Sequence, residues 1–168
     1  MPNGYEESNT KVPRAASLMS TEQLACSGTH PHFTTTKCQT NRNTNVRQYW
    51  VVSANWGGIN MLEAFIDYGH WQMAADDKKK PENVSMRANM YPGDGIAIRS
   101  MLEQGSPNIC IRAIGVIEKV EGDAGRVYVT WVRKGLNRIV PNRGCYGAIH
   151  GPWLANEDFK WVVRVFLT

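Results

Sequence analysis

The sequence predicts an α+β fold, a sheet that curls toward a small barrel with helices on its flanks. Two observations carry that expectation, and both lie between Met90 and Trp131. Three apolar runs there, Gly95–Ser100, Ile109–Lys119 and Arg126–Val132, read as consecutive strands, and the turn-rich Glu121-Gly122-Asp123-Ala124-Gly125 between the last two closes a hairpin. In the third run Val127, Val129 and Trp131 alternate with Tyr128, Thr130 and Val132, the period of a pleated strand. The middle run is long and carries Gly115 in its interior, where a missing side chain marks a bulge or bend. A long bent strand between two shorter ones curls a sheet.

The first strand of the domain is expected at Tyr49–Ala54, running into the loop Asn55-Trp56-Gly57-Gly58. Met61, Leu62, Phe65 and Ile66 recur at helical spacing, and Gly69 stands where that helix would stop. His70–Met73 and a charged loop from Asp76 to Lys80 follow. Pro81 opens a second helix through about Met90, and Pro92-Gly93 ends it. After Val132 the sequence predicts a long loop rich in Arg, Gly and aromatic residues. Asn156-Glu157-Asp158 can cap a short helical turn, and Trp161–Leu167 reads as a closing strand. No internal repeat is visible.

A chain of 168 residues with 42% apolar content can build one domain with a sizeable core. The net charge of +4 permits a nucleic-acid partner without requiring one, because phosphate binding needs positive charge in one place rather than in total. No apolar run reaches the roughly 18 residues that a membrane span needs, and the start, MPNGYEESNT, lacks the pattern of a secretory signal. The expected location is cytoplasmic. Cys26, Cys38, Cys110 and Cys145 are then expected as reduced thiols.

Residues 1–47 form a contrasting segment, polar and without sustained apolar periodicity, which reads as largely disordered. The domain proper is placed at 48–168. Cys26, His30, His32 and Cys38 could ligate zinc, but C-x3-H-x-H-x5-C is not a standard finger spacing and lacks an aromatic core. No metal site and no cofactor are expected.

The motifs YWVVSANWGG, YGHWQM, MYPGDGIAIRSM, IRAIGVIEKV and VYVTWV, in that order, resemble the PUA-like superfamily, and within it the EVE-type domains associated with McrB-like modification-dependent restriction proteins. The resemblance covers about residues 49–168. It implies a small barrel whose mouth accepts one modified, methylated nucleotide flipped out of DNA or RNA and held in an aromatic cage. By that resemblance Ser53, Asn55, Trp56 and Trp71 belong to the base-binding pocket, with Trp153 as the candidate for the remaining wall. It further implies a reader in a DNA restriction or defence system, with a nuclease or AAA-type ATPase on another chain, and DNA ahead of RNA.

The residues support the same assignment on chemical grounds. A flipped base needs flat apolar walls and a few hydrogen-bonding groups at its edge. Trp56 beside two glycines and Trp71 after a helix stop are the expected walls, while Trp50, Trp131 and Trp161 fit strand patterns and are expected in the core. Arg99 and Ser100, at the end of the first central strand, and Arg143 beside Gly144 are the expected phosphate contacts, with Arg133, Lys134 and Arg138 as further candidates for a basic rim. Cys145 and His150 are five apart and could form a thiolate–imidazole pair. No orienting carboxylate is evident, the pattern of the hydrolytic ASCH-type relatives is not recognisable, and metalloprotease, Walker and nucleophile-elbow signatures are absent. A non-enzymatic reader is therefore expected. RNA binding, and hydrolysis of modified nucleosides, stand as the alternatives.

Overall fold

The computed structural model describes residues 46–122 and 125–167. The expectation of disorder over 1–47 therefore lies outside the described residues except at Val46 and Arg47, as does the Cys26, His30, His32 and Cys38 group. From Val46 the chain forms β1 (Gln48–Ser53), β2 (Asn55–Trp56), β3 (Ile59–Asn60), α1 (Leu62–Asp67), β4 (His70–Gln72), a 3-10 turn (Asp77–Lys79) and α2 (Pro81–Ala88). It continues through β5 (Gly95–Met101), β6 (Asn108–Val120), β7 (Arg126–Arg133), β8 (Arg138–Pro141) and β9 (Ile149–Leu154) to a C-terminal helix, α3 (Phe159–Val162). Seven strands make one mixed sheet in the order β4-β7-β6-β5-β1-β9, with β8 also on β6, while β2 and β3 form a separate hairpin. This is a curled α+β half-barrel flanked by short helices, consistent with a small PUA-like barrel.

β6 is the spine. One edge pairs with β5 from Met101↔Ile109 to Gly95↔Val116. The other edge is divided, with Ile114–Val120 taking β7 and Asn108–Ile111 taking β8. The bend between these halves falls where the sequence predicts it, because the β6–β7 register shifts between Ile114 and Gly115. A Cβ at Gly115 would collide with Val129 and lie 2.7 Å from the Thr130 carbonyl oxygen. Glycine is needed here for close approach of the two strands.

β1 lies between β5, to which it is parallel, and β9, to which it is antiparallel. Trp50, Val51 and Val52 are all fully buried because the sheet is covered on both faces. On one face Trp50, Val52, Ile96 and Ile98 pack with Leu62, Phe65 and Ile66 of α1 and Trp71 of β4. On the other, Val51, Ala97, Ile109 and Ile111 pack beneath Trp161, Val162, Val165 and Phe166.

That second layer corrects the reading of the C-terminus. Trp161–Leu167 is not a strand: α3 runs into a wider π turn over Val163–Leu167. Trp161, Val162, Val165 and Phe166 are buried while Arg164 and Leu167 are exposed, which is i, i+1, i+4, i+5 spacing and therefore helical. The β-branched composition suggested a strand, and packing against the sheet overrode that local preference. Arg138 of β8 donates to the Val165 carbonyl at 2.7 Å, giving a partner to one of the carbonyls that a helix end leaves open. The stretch expected as a long loop also holds two strands, β8 and β9. Pro141 and Pro152 interrupt their patterns, and both strands sit where only one side is hydrogen-bonded to the sheet, the place where proline is tolerated.

Asp94 fastens the start of the sheet. It is only 4% exposed, and its carboxylate accepts hydrogen bonds from the Gln48 N–H (3.1 Å), the Trp50 indole N–H (3.0 Å) and the Tyr91 N–H (3.1 Å). Its own carbonyl accepts from Ile117 N–H at 2.9 Å. One residue thus ties β1, the turn into β5, and β6. Asp94→Ala leaves several inward donors without an acceptor, at about 1–3 kcal/mol for each one that stays buried and unpaired. Equilibrium denaturation is expected to show a loss of about 3 kcal/mol or more, with a smaller loss for Asp94→Asn; a loss under about 1 kcal/mol for the alanine variant would contradict this role.

Candidate functional site

Because β1 and β5 are parallel, their C-terminal ends emerge at the same rim of the sheet, where Ser53 stands in register with Arg99. A cleft of about 510 Å³ opens there, within the size range of sites that hold small molecules. The ends of β1 and β5 form its floor, through Ser53–Asn55 and Ile98–Met101. Asn60 of β3, Leu62 at the start of α1, Asp77 and Lys80 beside α2, Arg112 on β6 and the Tyr146–Ala148 loop form its walls. The loop is tied to the floor by the Ser53 N–H, which donates to the Ala148 carbonyl at 2.9 Å.

Arg99 is the buried cation of the site, with 4% of its surface exposed. One terminal nitrogen donates to the Gly147 carbonyl at 2.7 Å, and its Nε is buried with no partner. Burial lowers its pKa, partly offset by Cys145, and a guanidinium stays charged under such a shift. Gly147 is held from its other side as well, its N–H donating to His150 Nε2 at 2.7 Å. That bond requires an unprotonated Nε2, which puts the proton of the neutral ring on Nδ1. Burial, then the charge of Arg99, lowers the pKa of His150.

The β2–β3 hairpin sets Asn55 directly opposite Asn60. Asn55 Oδ1 accepts from the Gly58 N–H at 2.7 Å, and Asn60 Oδ1 accepts from the Leu62 N–H at 3.1 Å. Ser53 Oγ accepts from the Asn55 N–H at 3.2 Å. Tyr146 is the aromatic residue in the cleft lining and is 62% exposed.

Of the residues singled out from the sequence, Ser53, Asn55, Arg99 and Ser100 meet in this cleft. Trp56, Trp71, Trp153 and Arg143 are not in its lining. Trp71 is fully buried and its indole donates to the Ser53 carbonyl at 2.8 Å, so it supports the floor from the core side. Trp56 donates to the Gln72 carbonyl at 3.1 Å and packs edge-on against Phe65. Trp153 lies against Trp161, with ring centroids 4.5 Å apart. Arg143 sits 4.9 Å over the Trp153 ring and forms an ion pair with Asp158 at 2.6 Å, away from the cleft. Tyr146, Asn60, Lys80 and Arg112 are cleft residues the sequence reading missed. The GCYG stretch carried a signal for Tyr146, an aromatic between two glycines, while the other three reach the cleft only through tertiary folding.

The cysteine–histidine pair is not set for nucleophilic chemistry. Cys145 is fully buried, and burial pushes its thiol up to about 11 despite the opposing charges of Arg99 and Arg143. A thiol at that value is protonated at neutral pH, whereas the nucleophile is the thiolate. His150 Nε2 is already engaged by Gly147. Among the described residues no three His, Cys, Asp or Glu side chains cluster as a metal site requires. No helix among them is long and apolar enough to cross a membrane.

No family model and no curated protein matches the sequence. Among solved structures, the chain is similar to the YTH domain of the Zygosaccharomyces rouxii MRB1 protein in complex with N6-methyladenosine RNA, with 14% identity and a TM-score of 0.31. That match covers 58% of this chain and 64% of the other, and a likeness of this degree adds nothing to the chemistry of the cleft.

The His150 geometry has a pH signature. Its folded pKa lies below the usual 6.5, so the unfolded chain takes up the proton first and stability falls as pH drops from about 6.5 through the folded value. Melting temperatures of the wild type and of His150→Gln, compared from pH 7.5 to 5, are expected to show a steeper acid-side loss in the wild type. Parallel curves would rule out His150 as the source.

Proposed function

We propose that the chain is a non-catalytic nucleic-acid-binding module whose cleft takes one modified, flipped-out base. The observation that carries this reading is the cleft itself: a volume suited to a single nucleotide, bordered by an exposed aromatic ring, two side-chain amides and a buried guanidinium with an unused N–H. Extruding a base costs a few kcal/mol, and stacking returns about 1–3 kcal/mol per ring, so edge contacts must supply the rest. Tyr146 takes the stacking role. Ser53 and Asn55 keep the edge-reading role expected from the sequence, and Arg99 and Ser100 belong to the floor that the base would reach. The tryptophans act from outside the cleft by fixing its floor and loop.

The finer points of the proposal rest on the sequence resemblance. They are DNA ahead of RNA, a restriction or defence setting in the cytoplasm, and a nuclease or AAA-type ATPase partner that supplies the chemistry. An RNA ligand would bind more tightly when the 2′-hydroxyl is present. Fluorescence titration with methylated and unmethylated oligonucleotides tests the core of the reading. The modified strand is expected to bind more tightly, and Tyr146→Ala to weaken it by about tenfold or more, the loss of one stacking face. Equal, weak and fully salt-sensitive binding of both strands would overturn it.

A further inference from the structure

The hydrogen bonds inside the cleft give it a direction. Amide side chains carry both an acceptor and donors, and which end faces a ligand is ordinarily open. Here both choices are made by the backbone. The oxygens of Asn55 and Asn60 are held by the Gly58 and Leu62 N–H groups, which leaves each residue its two Nδ2 N–H donors. These residues stand opposite one another in the hairpin. The third donor is Arg99 Nε, which is buried, unpartnered, and on a residue that lines the same cleft. Two acceptors of the cleft already have partners: the Gly147 carbonyl accepts from Arg99, and one carboxylate oxygen of Asp77 is paired with Lys80 at 3.2 Å. The hydroxyls of Ser53, Ser100 and Tyr146 can turn to donate, so they do not oppose an acceptor edge.

We infer that Asn55, Asn60 and Arg99 are specificity-determining donors, and that the cleft identifies its base by two adjacent acceptor atoms. The inference rests on the proposed entry of one base into the cleft, and it names the edge that is read. Guanine presents O6 beside N7, and cytosine presents O2 beside N3. Adenine places its amino group between its acceptors, and thymine places an N–H between its two oxygens. Three donors meeting adenine would set N–H against N–H and leave at least one donor unsatisfied. A site built to hydrogen-bond a group rejects an analogue lacking it far more strongly than an apolar pocket rejects an extra methyl. A donor set between two acceptors, the N6 amino group of adenine or the N3–H of thymine, is therefore the feature excluded, while a methyl substituent elsewhere on the ring is compatible with the site.

The test uses the full chain and a duplex carrying one central nucleotide opposite an abasic position, so that extrusion is easy for every base. Dissociation constants are measured by anisotropy for central guanine, cytosine, thymine and adenine, and for an abasic centre. Guanine or cytosine is expected to bind at least tenfold more tightly than adenine. Asn55→Asp and Asn60→Asp keep the oxygen that holds the Gly58 or Leu62 N–H and replace the donor nitrogen with an acceptor. Each is expected to leave the melting temperature unchanged and to collapse the preference over adenine to within about threefold. The preference ratio is the readout because the added negative charge weakens every duplex alike. Adenine bound as well as guanine and cytosine, or a ratio unmoved by both variants, would overturn the inference while leaving base entry intact. Identical binding of all five duplexes, the abasic one included, would overturn base entry itself.

Discussion

The fold depends on a carboxylate held where carboxylates are rarely found. Asp94 is buried at the point where β1 and β5 begin and where β6 passes, and its oxygens and carbonyl serve donors from each of these neighbourhoods. β1 and β5 are parallel neighbours joined by a long connection carrying α1, β4 and α2, and no tight turn sets their register. The Asp94 contacts to Gln48 and Trp50 do that instead, at one end. The consequence is felt at the other end, because the register that aligns Tyr49 with Gly95 also aligns Ser53 with Arg99. A one-residue slip would turn Arg99 away from the cleft and place apolar side chains on the wrong face.

The tryptophans share this fastening role. Of the six in the chain, five donate their indole N–H to a group of the protein: Trp50 to Asp94, Trp56 to Gln72, Trp71 to Ser53, Trp131 to Phe65 and Trp161 to Pro141. A buried indole needs such a partner, and once it has one it works as a bolt between elements distant in sequence. Trp131 joins β7 to α1, and Trp161 joins the C-terminal helix to β8. Indoles so engaged are turned inward, and the aromatic ring left in the cleft lining is the exposed Tyr146.

What could be read from the sequence follows from the range of the forces involved. The three central strands, the Gly115 bend and the helices after Met61 and from Pro81 rest on local periodicity and turn chemistry, and each lies where expected. Trp161–Leu167 has helical spacing but a valine-rich composition that favours a strand, and the two local signals conflict until packing decides. β8 and β9 are interrupted by prolines and glycine and show no clean alternation, so their strand character comes from neighbours and not from themselves. In the site, Ser53, Asn55, Arg99 and Ser100 were legible as strand ends at a loop. Lys80 and Arg112 were not, since nothing local says that they face the same space. Trp71 was misplaced because aromatic character near a helix stop does not distinguish a wall from a support behind it.

The doubly held Gly147 bears on how quickly a ligand could be accommodated. Arg99 grips its carbonyl and His150 grips its N–H, so the peptide planes beside Tyr146 have little freedom left. A loop that must be ordered by its ligand subtracts that ordering from affinity and slows association. This one is held as the chain folds, so the cleft wall is preorganised. On the proposed reading, rearrangement on binding would fall to the nucleic acid rather than to this loop.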